Sequence, residues 1–103
     1  MRLRHKPYAK EKLEEYGQYV VTEALGMKGR WQERFGNEHP IHVEIGCGKG
    51  QFIINMAKKY PDINFIGIEL QTSVIVTALE KQIEEDLPNV QLLQANASDL
   101  AEY

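Results

Sequence analysis

The sequence predicts an α/β fold in which three parallel strands alternate with two helices, preceded by a helical N-terminal extension. Three observations support this class. Short apolar or β-branched runs occur three times, at residues 41–45, 63–70 and 90–94. The two segments between them have apolar residues at helical spacing. Strands that alternate with helical segments indicate βαβ units, and near-continuous apolar strands indicate a parallel sheet covered on both faces.

The first predicted element is a helix in the N-terminal extension. Pro7 suits the first turn of a helix, and apolar residues then recur at spacings of three and four. The helix is expected to end near Gly26, and a short second helical turn is expected to end at Gly36. We therefore divide the sequence into a basic helical extension, residues 1–38, and an α/β segment, residues 39–103.

The α/β segment begins with the strand IHVEI and a glycine-rich loop. The next eleven residues, GQFIINMAKKY, place apolar side chains on one helical face, with lysines in the last turn. The strand INFIGIEL leads to a helix from about Ser73 to Asp86, and VQLLQ is the third strand. A chain of 103 residues suits a single small domain.

The composition excludes several classes of protein. Hydrophobic residues make up 43% of the chain and charged residues 26%, and no apolar run approaches the ~20 residues of a membrane span. The N-terminus lacks the apolar segment of a secretory signal, so we expect a cytoplasmic location. Cys47 is the single cysteine, which excludes an intramolecular disulfide, and we expect no metal site.

The basic charge is concentrated at the N-terminus. Residues 1–34 carry eight Lys/Arg and five Asp/Glu, whereas residues 35–103 carry four and ten. Arg2, Arg4 and Lys6 are therefore candidate contacts for a polyanionic substrate. The alternative is that this segment is a solvated, frayed terminus. If charge is the only observation considered, the frayed terminus is the better interpretation, because short basic tails are common.

The loop GCGKG after the first strand carries the main functional signal. Gly46 and Gly48 would let the backbone turn tightly and approach a ligand, and Gly50 would allow close packing of the helix start. In a doubly wound sheet, ligands bind at the carboxyl ends of the strands, where this loop lies. The glycine spacing alone is a weak signal, because a packing turn also uses glycines.

Two acidic residues make the glycine loop informative. Glu69, at the end of the second strand, is placed to accept hydrogen bonds from both hydroxyls of a ribose. Glu44, two residues before Gly46, suits an ammonium group better than a pyrophosphate. The dinucleotide fingerprint also fails, because Gln51 stands at its third glycine. A ligand with a ribose, an adenine and a cationic amino-acid group is S-adenosylmethionine, which we predict as the cofactor.

Further cofactor contacts are predicted near the ends of the second and third strands. Asn96 could offer its amide to the adenine exocyclic amine, and the Ala97 backbone N–H could donate to a ring nitrogen. Leu70 could pack on the base. A helix N-cap is an equally good interpretation of Asn96.

The stretches IHVEIGCGKGQF, PDINFIGIEL and QLLQANASDL, preceded by RLRHKPYA and RFGNEHP, resemble the N-terminal half of the bacterial tRNA (guanine-N7-)-methyltransferase family. The resemblance covers essentially the whole chain. It implies a Rossmann-like class I methyltransferase fold with strands ordered 3-2-1, and cofactor contacts by Glu44, Glu69 and Asn96. It also implies methylation of a guanine at N7 in the variable loop of tRNA. Many members carry aspartate where Asn96 stands, so that contact would here be uncharged.

The resemblance implies that the chain is a fragment. The family's acidic residue after the fourth strand and its guanine-binding segment would lie beyond Tyr103, so no catalytic residue is predicted within the chain. Residues 39–103 would be the truncated N-terminal half of the methyltransferase domain, inactive alone. The IHVEI strand would become an unpaired edge, through which we expect the fragment to self-associate.

Two other functions remain open from the sequence. A fragment of an NAD(P)-type Rossmann oxidoreductase would place the same carboxylate on a ribose. A non-catalytic RNA-binding or assembly fragment is the other alternative, although the acidic balance of residues 35–103 disfavours RNA contact outside the N-terminal segment.

Overall fold

The computed structural model describes residues 7–102, which form one four-stranded parallel sheet flanked by helices. The strands are β1 (Val20–Val21), β2 (Ile41–Ile45), β3 (Asn64–Ile68) and β4 (Val90–Leu93). The α-helices are α1 (Ala9–Glu15), α2 (Trp31–Phe35), α3 (Gln51–Lys59) and α4 (Thr72–Glu85). Two 3-10 helices cover Ala24–Gly26 and Ala97–Glu102.

The strand order is β1-β4-β3-β2, and every pairing is parallel. The predicted α/β fold is confirmed, and the predicted 3-2-1 order corresponds to β4-β3-β2. The strand β1 extends this set at the outer edge of β4. All residues of β3 and β4 are buried, including the polar Asn64 and Gln91, as expected for strands covered on both faces of the sheet.

The prediction of one long N-terminal helix is wrong beyond Glu15. The helix α1 ends there, and Val20–Val21 form a strand that pairs with Leu92–Leu93 of β4. Leu92 donates its N–H to the carbonyl of Tyr19, and Gln94 donates its N–H to the carbonyl of Val21. These β-branched valines are both buried, so pairing with the sheet satisfies both the backbone and the apolar side chains.

The two faces of the sheet are covered by different segments. One face packs against α1, α3 and α4, through a core that includes Leu13, Ile53 and Leu79. The other face packs against Trp31 and Phe35 of α2. These two aromatic side chains therefore anchor the N-terminal segment to the sheet. The predicted stop at Gly36 is confirmed, since this glycine follows α2 in the left-handed conformation.

The outer edge of β2 is unpaired among residues 7–102. Val43 is 47% exposed and Ile45 is 56% exposed, although both lie in a strand of strongly apolar sequence. Among the described residues of the N-terminal extension, the strand β1 pairs at the opposite edge of the sheet. The predicted exposed apolar edge is therefore present. Within the described residues, no helix is long and apolar enough to cross a membrane.

Candidate functional site

The candidate site lies at the carboxyl edge of the sheet, where β2, β3 and β4 end side by side. The loop 46–50 follows β2, the loop 69–71 follows β3, and the segment 94–97 follows β4. Parallel strands bring their carboxyl ends to one edge, so the three predicted segments meet there. This edge therefore holds every predicted cofactor residue.

The glycine loop crosses the end of β3. The N–H groups of Gly46 and Cys47 both donate to the carbonyl of Ile68, at 2.8 and 3.0 Å. Gly46 and Gly48 both have positive φ angles, 68° and 56°. Such angles suit glycine, so the loop can make this tight turn without strain. Its backbone is thereby held directly beside the β3 end.

Glu69 connects two loops of the site. Its Oε1 accepts a hydrogen bond from the Gly48 N–H at 3.2 Å, and its Oε2 accepts one from the Gln71 N–H at 3.1 Å. A carboxylate has about four acceptor positions, so these two bonds leave capacity for further donors such as ribose hydroxyls. The side chain therefore orders the glycine loop and can still bind a ligand.

Glu44 lies near the end of β2 with an unsatisfied oxygen. Its Oε1 is buried and has no hydrogen-bond partner among the described residues. The side chain borders a cavity of about 180 Å³, lined also by His42, Phe52, Ile53 and Met56. Desolvation by these surroundings raises the pKa of Glu44. A bound cation would supply the missing partner and relieve this cost.

The pH dependence of stability tests this description of Glu44. Because burial raises its pKa in the folded state, the protonated form is favoured, and the associated stability is lost as pH rises through the folded pKa. Glu44→Gln removes this loss. We expect the variant to have a higher Tm than the native chain at neutral pH and the same Tm below about pH 4, under the usual glutamate pKa.

Melting curves between pH 3 and 8 measure this difference. Glu38→Gln is the matched control, since Glu38 is exposed, and its Tm should follow the native curve. A Tm difference for Glu44→Gln that stays constant across the pH range would contradict the description.

The predicted adenine contacts differ in how they are held. Asn96 Oδ1 accepts hydrogen bonds from the Ser98 N–H at 3.0 Å and from the Ser98 hydroxyl at 2.9 Å. Asn96 therefore caps the 3-10 helix that begins at Ala97, as the alternative interpretation predicted. Leu70 is 55% exposed at the same edge, as a residue that packs on a ligand requires.

Cys47 is a packing residue of the glycine loop. It is buried, and a Cβ placed on Gly67 would lie 3.0 Å from its Sγ. Burial, together with the charges of Glu44 and Glu69, raises the pKa of Cys47 to about 12. The thiol is therefore protonated at neutral pH, which disfavours reaction as a nucleophile. Within residues 7–102, no group of His, Cys, Asp and Glu side chains could hold a metal ion.

One feature of the site escaped the sequence interpretation. The side chain of Gln94 donates hydrogen bonds to the Leu70 carbonyl and to the Thr72 hydroxyl. Nothing in its sequence position distinguishes this glutamine from a solvated residue at a strand end. The predicted polyanion contacts Arg2, Arg4 and Lys6 lie outside the described residues.

Known proteins resemble this chain over its whole length. Two curated tRNA (guanine-N(7)-)-methyltransferases, from Geobacillus thermodenitrificans (strain NG80-2) and Geobacillus sp. (strain WCH70), are each 60% identical to it over 103 residues. The alignments cover 100% of this chain and 48% and 47% of those proteins. The chain thus spans about half the length of the curated relatives it matches.

A solved structure shares the fold. Phosphoethanolamine N-methyltransferase 2 of Haemonchus contortus, in complex with S-adenosyl-L-methionine, superposes with a TM-score of 0.52 at 23% identity. The superposition covers 79% of this chain and 17% of that protein.

The family model Methyltransf_4, which describes a methyltransferase, matches residues 38–103. The matched segment contains β2, β3, β4 and the three loops of the candidate site. With this match over more than half of its length, the chain belongs to the Methyltransf_4 family of methyltransferases.

Proposed function

We propose that the site binds S-adenosylmethionine and that the whole protein methylates a guanine at N7 in the variable loop of tRNA. The observation that carries this proposal is the placement of two carboxylates, Glu44 and Glu69, at the ends of adjacent strands beside the glycine loop. The names of the two Geobacillus relatives support the substrate and the position of methylation. A cytoplasmic location follows from a tRNA substrate.

Each residue of the site has a separate role in this proposal. Glu69 would accept the ribose hydroxyls with its remaining lone pairs, and Glu44 would bind the ammonium group with its unpartnered oxygen. The backbone at Gly46 and Gly48 would lie against the cofactor. The cofactor supplies an electrophilic methyl group on its sulfonium.

The base of the cofactor would contact the ends of β3 and β4. Leu70 would pack on the adenine, and the N–H of Ala97 would donate to a ring nitrogen. Asn96 would lie beside the base while its oxygen caps the 3-10 helix. No base is needed within this half of the site, because guanine N7 carries a lone pair and no proton.

The preference for S-adenosylmethionine or NAD distinguishes a methyltransferase from an oxidoreductase. We would join residues 1–103 to the remaining half of the G. thermodenitrificans relative, to give a protein of full family length, called here the chimera. Calorimetric titration of the chimera should show tighter binding of S-adenosylmethionine than of NAD. Tighter binding of NAD would contradict the proposal, because the diphosphate would then be tolerated beside Glu44.

The N-terminal segment is proposed to bind tRNA phosphates. Replacement of Arg2, Arg4 and Lys6 with alanine in the chimera should weaken tRNA binding, because fewer phosphates are neutralised and fewer counterions are released. The slope of log K against log salt should become shallower by about 0.7 to 0.9 for each phosphate that is no longer neutralised. Cofactor affinity should not change. An unaltered slope would return this segment to the frayed-terminus interpretation.

The unpaired edge of β2 is proposed to mediate self-association of the 103-residue chain. An apolar strand edge with free backbone groups pairs readily with another strand. Sedimentation should show association of the native chain, and Val43→Lys should reduce it. Leu25→Lys is the matched control, because Leu25 is 78% exposed outside the sheet. A monomeric native chain, or an equal effect of Leu25→Lys, would contradict this proposal.

A further inference from the structure

Gln94 is anchored at the end of β4 by its backbone. Its N–H donates to the carbonyl of Val21 in β1 at 2.9 Å. The N-terminal extension therefore fixes the position from which the Gln94 side chain starts. This bond places Gln94 beside β1, directly after the carboxyl end of β4.

The Gln94 side chain reaches from β4 to the connection between β3 and α4. Its Nε2 lies 3.2 Å from the Leu70 carbonyl oxygen and 2.8 Å from Thr72 Oγ1. A carbonyl oxygen can only accept a hydrogen bond, so the amide nitrogen must face Leu70. The two protons of one amide thus hold the loop 69–71 and the first residue of α4 together.

This contact acts on the loop that presents the proposed cofactor residues. The Glu69 N–H donates to the Leu93 carbonyl at 3.1 Å, and the Gln71 N–H donates to Glu69 Oε2. Between these two bonds, the Leu70 carbonyl is directed to Gln94 while the Leu70 side chain remains exposed. Without the Gln94 donor, the carbonyl of Leu70 in the middle of the loop 69–71 would lose this hydrogen bond, and the loop would be held less firmly.

We propose that Gln94 is a positioning residue for cofactor binding, whose amide holds the loop 69–71 so that Glu69 and Leu70 meet the ligand. This inference rests on the proposed function of that loop. Gln94 touches no reacting atom, and its role is to supply two hydrogen-bond donors. A donor of similar length should therefore replace it, whereas an acceptor of the same length should not.

Two opposite substitutions at this position separate the donor role from general packing. Gln94→Glu places acceptor oxygens opposite the Leu70 carbonyl, whereas Gln94→Lys supplies an ammonium group with three donors. The residue also borders a cavity of about 280 Å³, which gives either side chain room. Gln32→Glu, on the exposed surface of α2, is the control for the change in charge.

Amide hydrogen exchange in the 103-residue chain measures the loop directly. Gln94→Glu should accelerate exchange of the Gln71 N–H by about tenfold, and Gln94→Lys and Gln32→Glu should leave it near the native rate. Thr72→Val removes one of the two acceptors and should have a smaller effect in the same direction. Unchanged exchange in Gln94→Glu, or equal acceleration in Gln94→Lys, would overturn the proposal.

Titration of the chimera with S-adenosylhomocysteine measures the consequence for binding. Gln94→Glu should raise Kd by about tenfold, and Gln94→Lys should stay within about threefold of the native value. Faster exchange of the Gln71 N–H in Gln94→Glu without a change in Kd would also overturn the positioning role. If the native chimera bound no S-adenosylhomocysteine, the proposed function would be wrong, while the exchange rates would still decide whether Gln94 holds the loop.

Discussion

Replacement of Glu69 with alanine is expected to weaken S-adenosylmethionine binding by the chimera by about 1.5 to 3 kcal/mol, the usual range for hydrogen bonds to a charged group. The variant loses the proposed acceptor for the ribose hydroxyls. It also removes the partner of the Gly48 and Gln71 N–H groups, so the glycine loop is less ordered before the ligand binds. Both effects act in the same direction, and calorimetry measures their sum.

Two comparisons make this result specific. Glu84→Ala, at an exposed position of α4, should leave the affinity unchanged. Glu44→Gln should cost less than Glu69→Ala, because the proposed contact of Glu44 with the ammonium group can run through a water molecule. Native affinity in Glu69→Ala would remove Glu69 from the site, and a larger loss for Glu44→Gln would reverse the two roles.

Gly50→Ala is expected to destabilise the chain by about 2 to 5 kcal/mol. The φ angle of Gly50 is 82°, and a left-handed conformation costs a residue with a Cβ roughly 1 to 2 kcal/mol. The added Cβ would also lie 2.8 Å from the Cβ and 3.1 Å from the Cα of Ala78, and such overpacking costs about 1 to 3 kcal/mol. The start of α3 would have to move away from α4.

Urea denaturation measures this loss against two related variants. Gly48→Ala has a similar φ angle, but its nearest neighbouring atom would be 4.0 Å away, so it should show only the cost of strain. In an Ala78→Gly background, the cost of Gly50→Ala should fall towards that value, because the Cβ at 2.8 Å is gone and only the close Cα at 3.1 Å remains. Equal losses for Gly48→Ala and Gly50→Ala in the native background would contradict the packing role of Gly50.

The elements with strong local patterns were predicted from the sequence. The strands β2, β3 and β4 are apolar runs bounded by glycine, proline or polar residues, and α3 and α4 have apolar residues at helical spacing. Their order at the sheet edge was implied by the resemblance to the methyltransferase family, and the pairing of β2 with β3 and of β3 with β4 agrees with it. Glu44 and Glu69 could therefore be placed at adjacent strand ends from the sequence.

The N-terminal extension could not be predicted in the same way. Val20 continues the helical spacing of Leu13 and Tyr16, and a strand of two residues has no periodicity of its own. What decides its conformation is a distant partner, because Val20–Val21 pair with Leu92–Leu93. Tertiary pairing here outweighs the local preference.

The hydrogen bonds within the site could not be predicted from the sequence either. The capping of Ser98 by Asn96 was one of two open interpretations, and the geometry shows this capping. The contact between Gln94 and Leu70 joins residues 24 positions apart, so no local spacing indicates it. The two hydrogen bonds of Glu69 to the backbone depend on how two loops meet, which strand assignments do not specify.

The central claim is tested most directly by methyl transfer to tRNA. The chimera would be incubated with S-adenosylmethionine labelled in its methyl group and with unmodified tRNA. The tRNA would then be cut into oligonucleotides that map to its sequence, and each oligonucleotide would be digested to nucleosides. We predict that the label appears in 7-methylguanosine from the variable loop, and that Glu69→Ala reduces its rate of formation at limiting cofactor. Absence of label in the tRNA, or label in a different nucleoside, would contradict the claim.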